Sequence, residues 1–250
     1  MAATTALRRW TTEERAARVE LAACYRLIAH FRMTDLVYTH ISARVPGTEH
    51  FLLNPYGLLF EEVTASNLVR IDIEGQIVED TPYEVNPAGF TIHSAIHRAR
   101  PDVNCVLHTH TRAGMAVSCM REGLLPLSQI ALQFYGRLAY HDYEGIALDL
   151  DERERLERDL GQRKAMILRN HGLLTVGESV PEAFSLMFYL ERACEIQIAA
   201  LSTGRELIQP SPEVCEKTAQ QHEGGEEPAG VREWRALVRQ LDKADPSYRT

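Results

Sequence analysis

Two short runs, Asn104–His110 and Lys164–Arg169, carry unbroken apolar centres, Cys105–Leu107 and Ala165–Leu168. A strand that is apolar at successive positions exposes neither face to water, so helices must cover its sheet on both sides. The rest of the chain supplies them. Thr12–Phe31 is amphipathic at helical spacing, with Thr11 or Thr12 to cap it and Glu13 and Glu14 in its first turn. Pro87–Ala99 forms a second helix that stops before Pro101, and Arg112–Arg121 a third. Leu150–Gly161 is a charged, solvated helix, and Val180–Thr203 is a long one starting at Ser179-Val180-Pro181. Further strands are predicted over Tyr38–Arg44, His50–Asn54 and Leu68–Asp72, the last turning at Glu74-Gly75 into Ile77 and Val78. The expectation is one α/β domain over residues 1–250, a mixed central sheet with helices on both faces. Its core spans about 15–220, and 221–250 form a tail whose short helix, Val231–Leu241, docks on a neighbour or on the core.

Charge and composition narrow the function. Acidic side chains outnumber basic ones, 35 to 27, and the formal charge is −8, which argues against a nucleic-acid partner. No apolar run is long enough to span a bilayer. The N-terminal stretch Met1–Arg18, with Arg8, Arg9 and Trp10, lacks the apolar centre of a secretory signal. The five cysteines are scattered and form no CxxC pair, so a reducing cytoplasm is expected.

Three of the ten histidines stand where chemistry is plausible. In Val106-Leu107-His108-Thr109-His110 the alternation of a strand puts His108 and His110 on one face, where two imidazoles can converge on a metal. The bland alternative is a pair of satisfied polar residues at a strand end. His171 follows the Lys164–Arg169 strand in Asn170-His171-Gly172, at the carboxyl end where α/β folds place their sites.

The run Ala95–His110 resembles a signature of the class II aldolase/adducin family, and Asn170-His171-Gly172 matches its second one. The resemblance covers roughly residues 15–220. It implies a class II aldolase-like, three-layer fold and a divalent ion, zinc first and iron or manganese otherwise, bound by His108, His110 and His171. It also implies a homotetramer with sites at subunit interfaces. The family's aldolases carry a catalytic glutamate four residues before the histidine that matches His93; here that position is Gly89. Gly89 would leave one coordination position and the volume of a glutamate open. Asn86-Pro87-Ala88 and Asn54-Pro55-Tyr56-Gly57 replace the serine-rich phosphate cradle, and Thr39-His40 replaces a glycine-asparagine pair. This is closer to the adducin-like branch than to sugar-phosphate aldolases.

The substitute for the lost carboxylate is sought in His40, Glu144 or Glu84, since acid-base work needs a group within hydrogen-bond reach of the substrate. Asn54, Tyr56, Asn86, Gly89 and Gln129 are the expected substrate-binding positions. His93 is expected to pack below the site, and His97 to be an ordinary packing or surface residue. His141-Asp142-Tyr143-Glu144 is expected to form a loop. The function expected first is a metal-dependent lyase, with aldolase, decarboxylase or dehydratase chemistry on a small non-phosphorylated oxo or hydroxy acid. A non-haem iron oxygenase and a non-catalytic adducin-like module are the alternatives.

Overall fold

A computed structural model describes residues 10–145, 152–225 and 227–250. Arg8 and Arg9, and Leu150, from which the sequence predicts the charged helix to start, lie outside them. Helix α1 (Thr12–His30) is capped by the Thr11 hydroxyl, which accepts from the Glu14 amide at 3.1 Å. Strands β1 (His40–Arg44), β2 (Phe51–Leu53) and β3 (Val69–Ile71) follow, then α2 (Pro87–Ala99), β4 (Cys105–Thr109) and α3 (Arg112–Ser118). The second half comprises α4 (Gln129–Leu132), β5 (Leu138–His141), α5 (Glu152–Leu160), β6 (Ala165–Leu168), β7 (Gly172–Gly177) and α6 (Val180–Ser202). Helices α7 (Pro212–Glu223) and α8 (Val231–Ala244) and a last 3-10 turn, Pro246–Arg249, complete it.

The strands form one seven-stranded sheet in the order β3-β2-β1-β4-β7-β6-β5. Every neighbouring pair is antiparallel except β5 and β6, so the sheet is mixed as expected. Alternation along the strands separates two cores. Cys105, Leu107, Ala165, Ile167 and Leu173 join Leu21, Ile28, Met187 and Leu190 from α1 and α6 on one face. Val106, Met166, Leu168, Leu174 and Val176 join Ile92 and Ile96 of α2 and Leu156 and Leu160 of α5 on the other.

Four elements were not anticipated from the sequence: α4, β5, α7 and β7, the last of which lies in the sheet between β4 and β6. The tail helix docks on its own chain: Trp234, Leu237, Val238 and Leu241 pack on the α1/α6 core, with the Trp234 ring 5.7 Å from that of Phe184. Among the described residues no helix is long and apolar enough to cross a membrane.

Candidate metal centre

The site is built where β4 ends between β1 and β7. His40 pairs directly with His108 across the β1–β4 ladder, so the two imidazoles share a face and lie 5.1 Å apart at their centroids. His110 lies just beyond β4, two residues along and therefore on the same side. His171 enters from the turn between β6 and β7. In that turn Asn170 adopts a left-handed conformation, φ 54°, which a short amide side chain tolerates better than most. Gly172 then passes so close to β4 that a Cβ would collide with the Thr109 carbonyl oxygen. That gives the Asn-His-Gly sequence a steric reason in each flanking residue.

The three rings converge. One ligand atom from each of His108, His110 and His171 lies within 4.8 Å of the others. The outer nitrogens are already committed. His108 Nδ1 is 2.9 Å from the Leu173 carbonyl oxygen, and His110 Nδ1 is 2.9 Å from an Asp35 carboxylate oxygen. Both partners only accept, so each Nδ1 must donate and each Nε2 must present a lone pair. Those two Nε2 atoms face one another at 2.9 Å. Two lone pairs so close repel unless a cation lies against both, and carbonyl- or carboxylate-held imidazoles are the usual support of zinc ligands. The donor set therefore fits a divalent metal. Burial pushes the His108 pKa well below its usual value and that of His171 to about 4, with neighbouring histidines adding to the effect. Both imidazoles are neutral at pH 7.

Position 89 is not open space. A Cβ on Gly89 would lie 2.7 Å from His40 Cδ2 and 2.9 Å from its Cγ. His40 thus fills the room that a side chain at 89 would take, which corrects the expectation of a roomier pocket. Its Nδ1 meets His93 Nε2 at 2.8 Å, and burial together with His110 and His171 lowers its pKa to about 3. His93 is fully buried below the site, as expected.

The other candidates are less central. Asn54 is buried, and its amide oxygen accepts the Tyr25 hydroxyl at 2.8 Å, so it ties β2 to α1. Tyr56 is exposed, and its amide donates to the Glu84 carbonyl. The Glu84 side chain is exposed, and Asn86 is half-buried just before α2. Gln129 opens α4 and lines a recess with Pro210, Thr218 and His222, which none of the three metal-site histidines borders. Glu144 shares a small cleft with His171 but is spent on Arg155, with oxygens 2.7 and 2.8 Å from Nε. His141 ends β5 rather than lying in a loop, and its Nδ1 meets Asp159 at 2.8 Å.

Sequence reasoning missed Asp35, Tyr143 and His97. Asp35 reaches His110 from 75 residues away, which no local pattern reveals. The Tyr143 ring stands 6.3 Å from that of His171. His97 did leave a signal, because Gly89, His93 and His97 recur every fourth residue on one face of α2.

The profile of the Class II Aldolase and Adducin N-terminal domain matches residues 19–198. PA3430 of Pseudomonas aeruginosa, whose aldolase class 2 label is provisional, is 53% identical over 93% of this chain and 91% of its own. Rat alpha-adducin is 45% identical over 95% of this chain, which spans only 34% of that protein. An aldolase II superfamily protein from Pseudomonas syringae superposes with TM-score 0.93 and 56% identity, covering 97% of this chain and 98% of the other. The L-fuculose 1-phosphate aldolase of Glaciozyma antarctica superposes with TM-score 0.85 and 30% identity, covering 98% of both chains. With the profile and these relatives spanning the sheet and all three converging histidines, the chain belongs to the class II aldolase and adducin family.

Proposed function

We propose that the protein is a divalent-metal-dependent lyase acting on a small, non-phosphorylated oxo or hydroxy acid, with zinc held by His108, His110 and His171. The observation that carries this reading is the pair of Nε2 lone pairs facing one another at 2.9 Å, each fixed by an acceptor behind its ring. When bound there, a divalent ion supplies Lewis-acid stabilisation of negative charge on a substrate oxygen. His40, which fills the room at Gly89 where the family's carboxylate is absent, hydrogen-bonds a substrate oxygen beside the ion. Asp35 and the Leu173 carbonyl hold their imidazoles in orientation, and Tyr143 walls the His171 side. Asn86 and Tyr56 stand where the resemblance places the phosphate cradle, and neither brings a cationic group to hold a phosphate.

Assembly into a homotetramer belongs to the same reading. Leu36, beside Asp35, is 69% exposed and Tyr143 is 54% exposed. Apolar side chains left bare at the rim of a site suit completion by a second copy. Light scattering that gives a monomer at micromolar concentration would remove this part.

The test is turnover of 2-oxo and 3-oxo acids by zinc-loaded protein, in air and under argon. Carbon–carbon cleavage or decarboxylation independent of oxygen is expected. Strict oxygen dependence would replace the lyase by an oxygenase. No turnover of any panel member by fully loaded protein would favour a binding module, the reading that the match to alpha-adducin supports.

A further inference from the structure

A threonine before a helix ordinarily turns its hydroxyl onto the first free amides, and Thr111 stands in that place before α3. Its hydroxyl makes no such bond. It donates instead to Glu191 Oε2 of α6, 80 residues further on, and the Gly114 amide donates to the same oxygen at 3.0 Å. Gly114 holds the third helical position, whose amide a threonine cap would take. Glu191 thus caps α3 from another helix. Because Oε2 accepts twice, it bears no proton in either state of the carboxyl. Thr111, Gly114 and Glu191 are all buried.

The helix so held touches the surroundings of all three ligand histidines. At its start, Thr111 follows His110 directly. Along its side, Gly114 lies against β7, where a Cβ would meet Leu173 Cγ at 2.6 Å, and the Leu173 carbonyl is the acceptor behind His108. At its end, the Ser118 carbonyl accepts from the Asn170 amide at 3.3 Å, one residue before His171. Arg169 reinforces that end, its Nη1 donating to the Met120 carbonyl at 2.6 Å.

We infer that Glu191 is a positioning residue of the metal centre, fixing through α3 the placement of His110 against His108 and His171. Without its oxygen two buried donors lose their acceptor. Thr111 can then serve the Gly114 amide only by turning its hydroxyl back onto its own helix. That breaks the tie between α3 and α6, and the chain leaving His110 is free to shift. The inference rests on the three-histidine metal site and not on the reaction carried out there.

In the full chain, Glu191→Met keeps the length of the side chain and removes the acceptor, whereas Glu191→Gln keeps an acceptor oxygen. Competition with a chromogenic chelator should show zinc affinity about tenfold lower in Glu191→Met, the low end of what partners of metal ligands contribute, because α3 acts through one contact more. Glu191→Gln should bind zinc as the native chain does. Thr175→Val serves as the control. It removes a buried hydroxyl that donates to the Ala183 carbonyl of α6 at 2.8 Å, and should lower stability without lowering zinc affinity. Native affinity in Glu191→Met, or an equal loss in Thr175→Val, would overturn the inference. A Glu191→Gln variant as weak as Glu191→Met would also overturn it, since charge and not a shared acceptor would then be at work.

Spectra of the metal-free chain labelled with ¹⁵N-histidine read the placement without zinc. The His110 signal should move in Glu191→Met and stay in place in Glu191→Gln. An unmoved His110 in folded Glu191→Met would sink the inference. That arm holds even if the native chain takes up no zinc, a result that would remove the metal-dependent lyase instead. If Glu191→Met does not fold, Thr111→Val, which deletes only the donor, takes its place in both measurements. A smaller loss of zinc affinity and a shifted His110 are expected there, and no change in either would overturn the inference.

Discussion

β1 sends Ile41 and Ala43 into the apolar core under α1 and α6, and His40 and Ser42 into the hydrogen-bonded histidines under α2. The two faces share one backbone, and the residues of both are almost fully buried. On the first face each side chain contributes by leaving water, and any apolar group of similar shape serves. On the second, each polar group is tolerable only while its partner is present. Burial alone therefore does not say what a residue is for. The kind of partner does.

The widest separation of the two faces is expected from the ligands. His108→Ala or His171→Ala should reduce bound zinc from about one per chain to near none by elemental analysis, with circular dichroism showing a retained fold. A variant that unfolds would place the histidines among the structural supports of the sheet.

Acid should come next. Burial pushes His93 well below the ordinary histidine range and His97 to about 3, so the folded chain refuses protons that the unfolded chain binds below about pH 6.5. The sign follows: stability is full above that value and falls as the pH drops towards the folded pKa values. Two such groups together remove about 3 kcal/mol between pH 6.5 and 5. Denaturant titrations across that range measure it, and a flat profile would show that these imidazoles are not held neutral.

Gly89→Ala should cost about 1–3 kcal/mol, because the added Cβ meets the His40 ring at 2.7 Å and that ring must leave its hydrogen bond. Unchanged stability with an unmoved His40 signal would separate position 89 from this face. The smallest effect is expected from Ile41→Val on the apolar side, about 0.5–1.5 kcal/mol with zinc binding unaltered. A change in zinc affinity there would join the two faces energetically.

The same contrast explains what the sequence disclosed. Helical periodicity and caps placed α1, α2 and α6 within a residue or two, because those signals are local. His108, His110 and His171 were legible as one converging set only once two separated motifs were matched to one family, since no spacing rule connects β4 to the turn before β7. β7 was hidden by the glycine that its closeness to Thr109 demands. Asp35 was hidden by distance along the chain. His97 was passed over as packing because its four-residue spacing from His93 carries no mark of the serine on β1 that it meets.

The far end of the chain closes over its beginning. Arg26 of α1 pairs with Asp245, 219 residues further on, and Ala65 and Ser66 donate backbone hydrogen bonds to the Tyr248 and Thr250 carbonyls. Tyr248 and Trp234 border the same recess as Ala16 and Val19 of α1. During synthesis at about 5–20 residues per second, α1 leaves the ribosome roughly 10–40 s before the segment that covers it. For that interval the outer flank of the first helix has no partner from its own chain. Nascent protein stalled before residue 230 should therefore bind chaperones that release it once translation passes Tyr248.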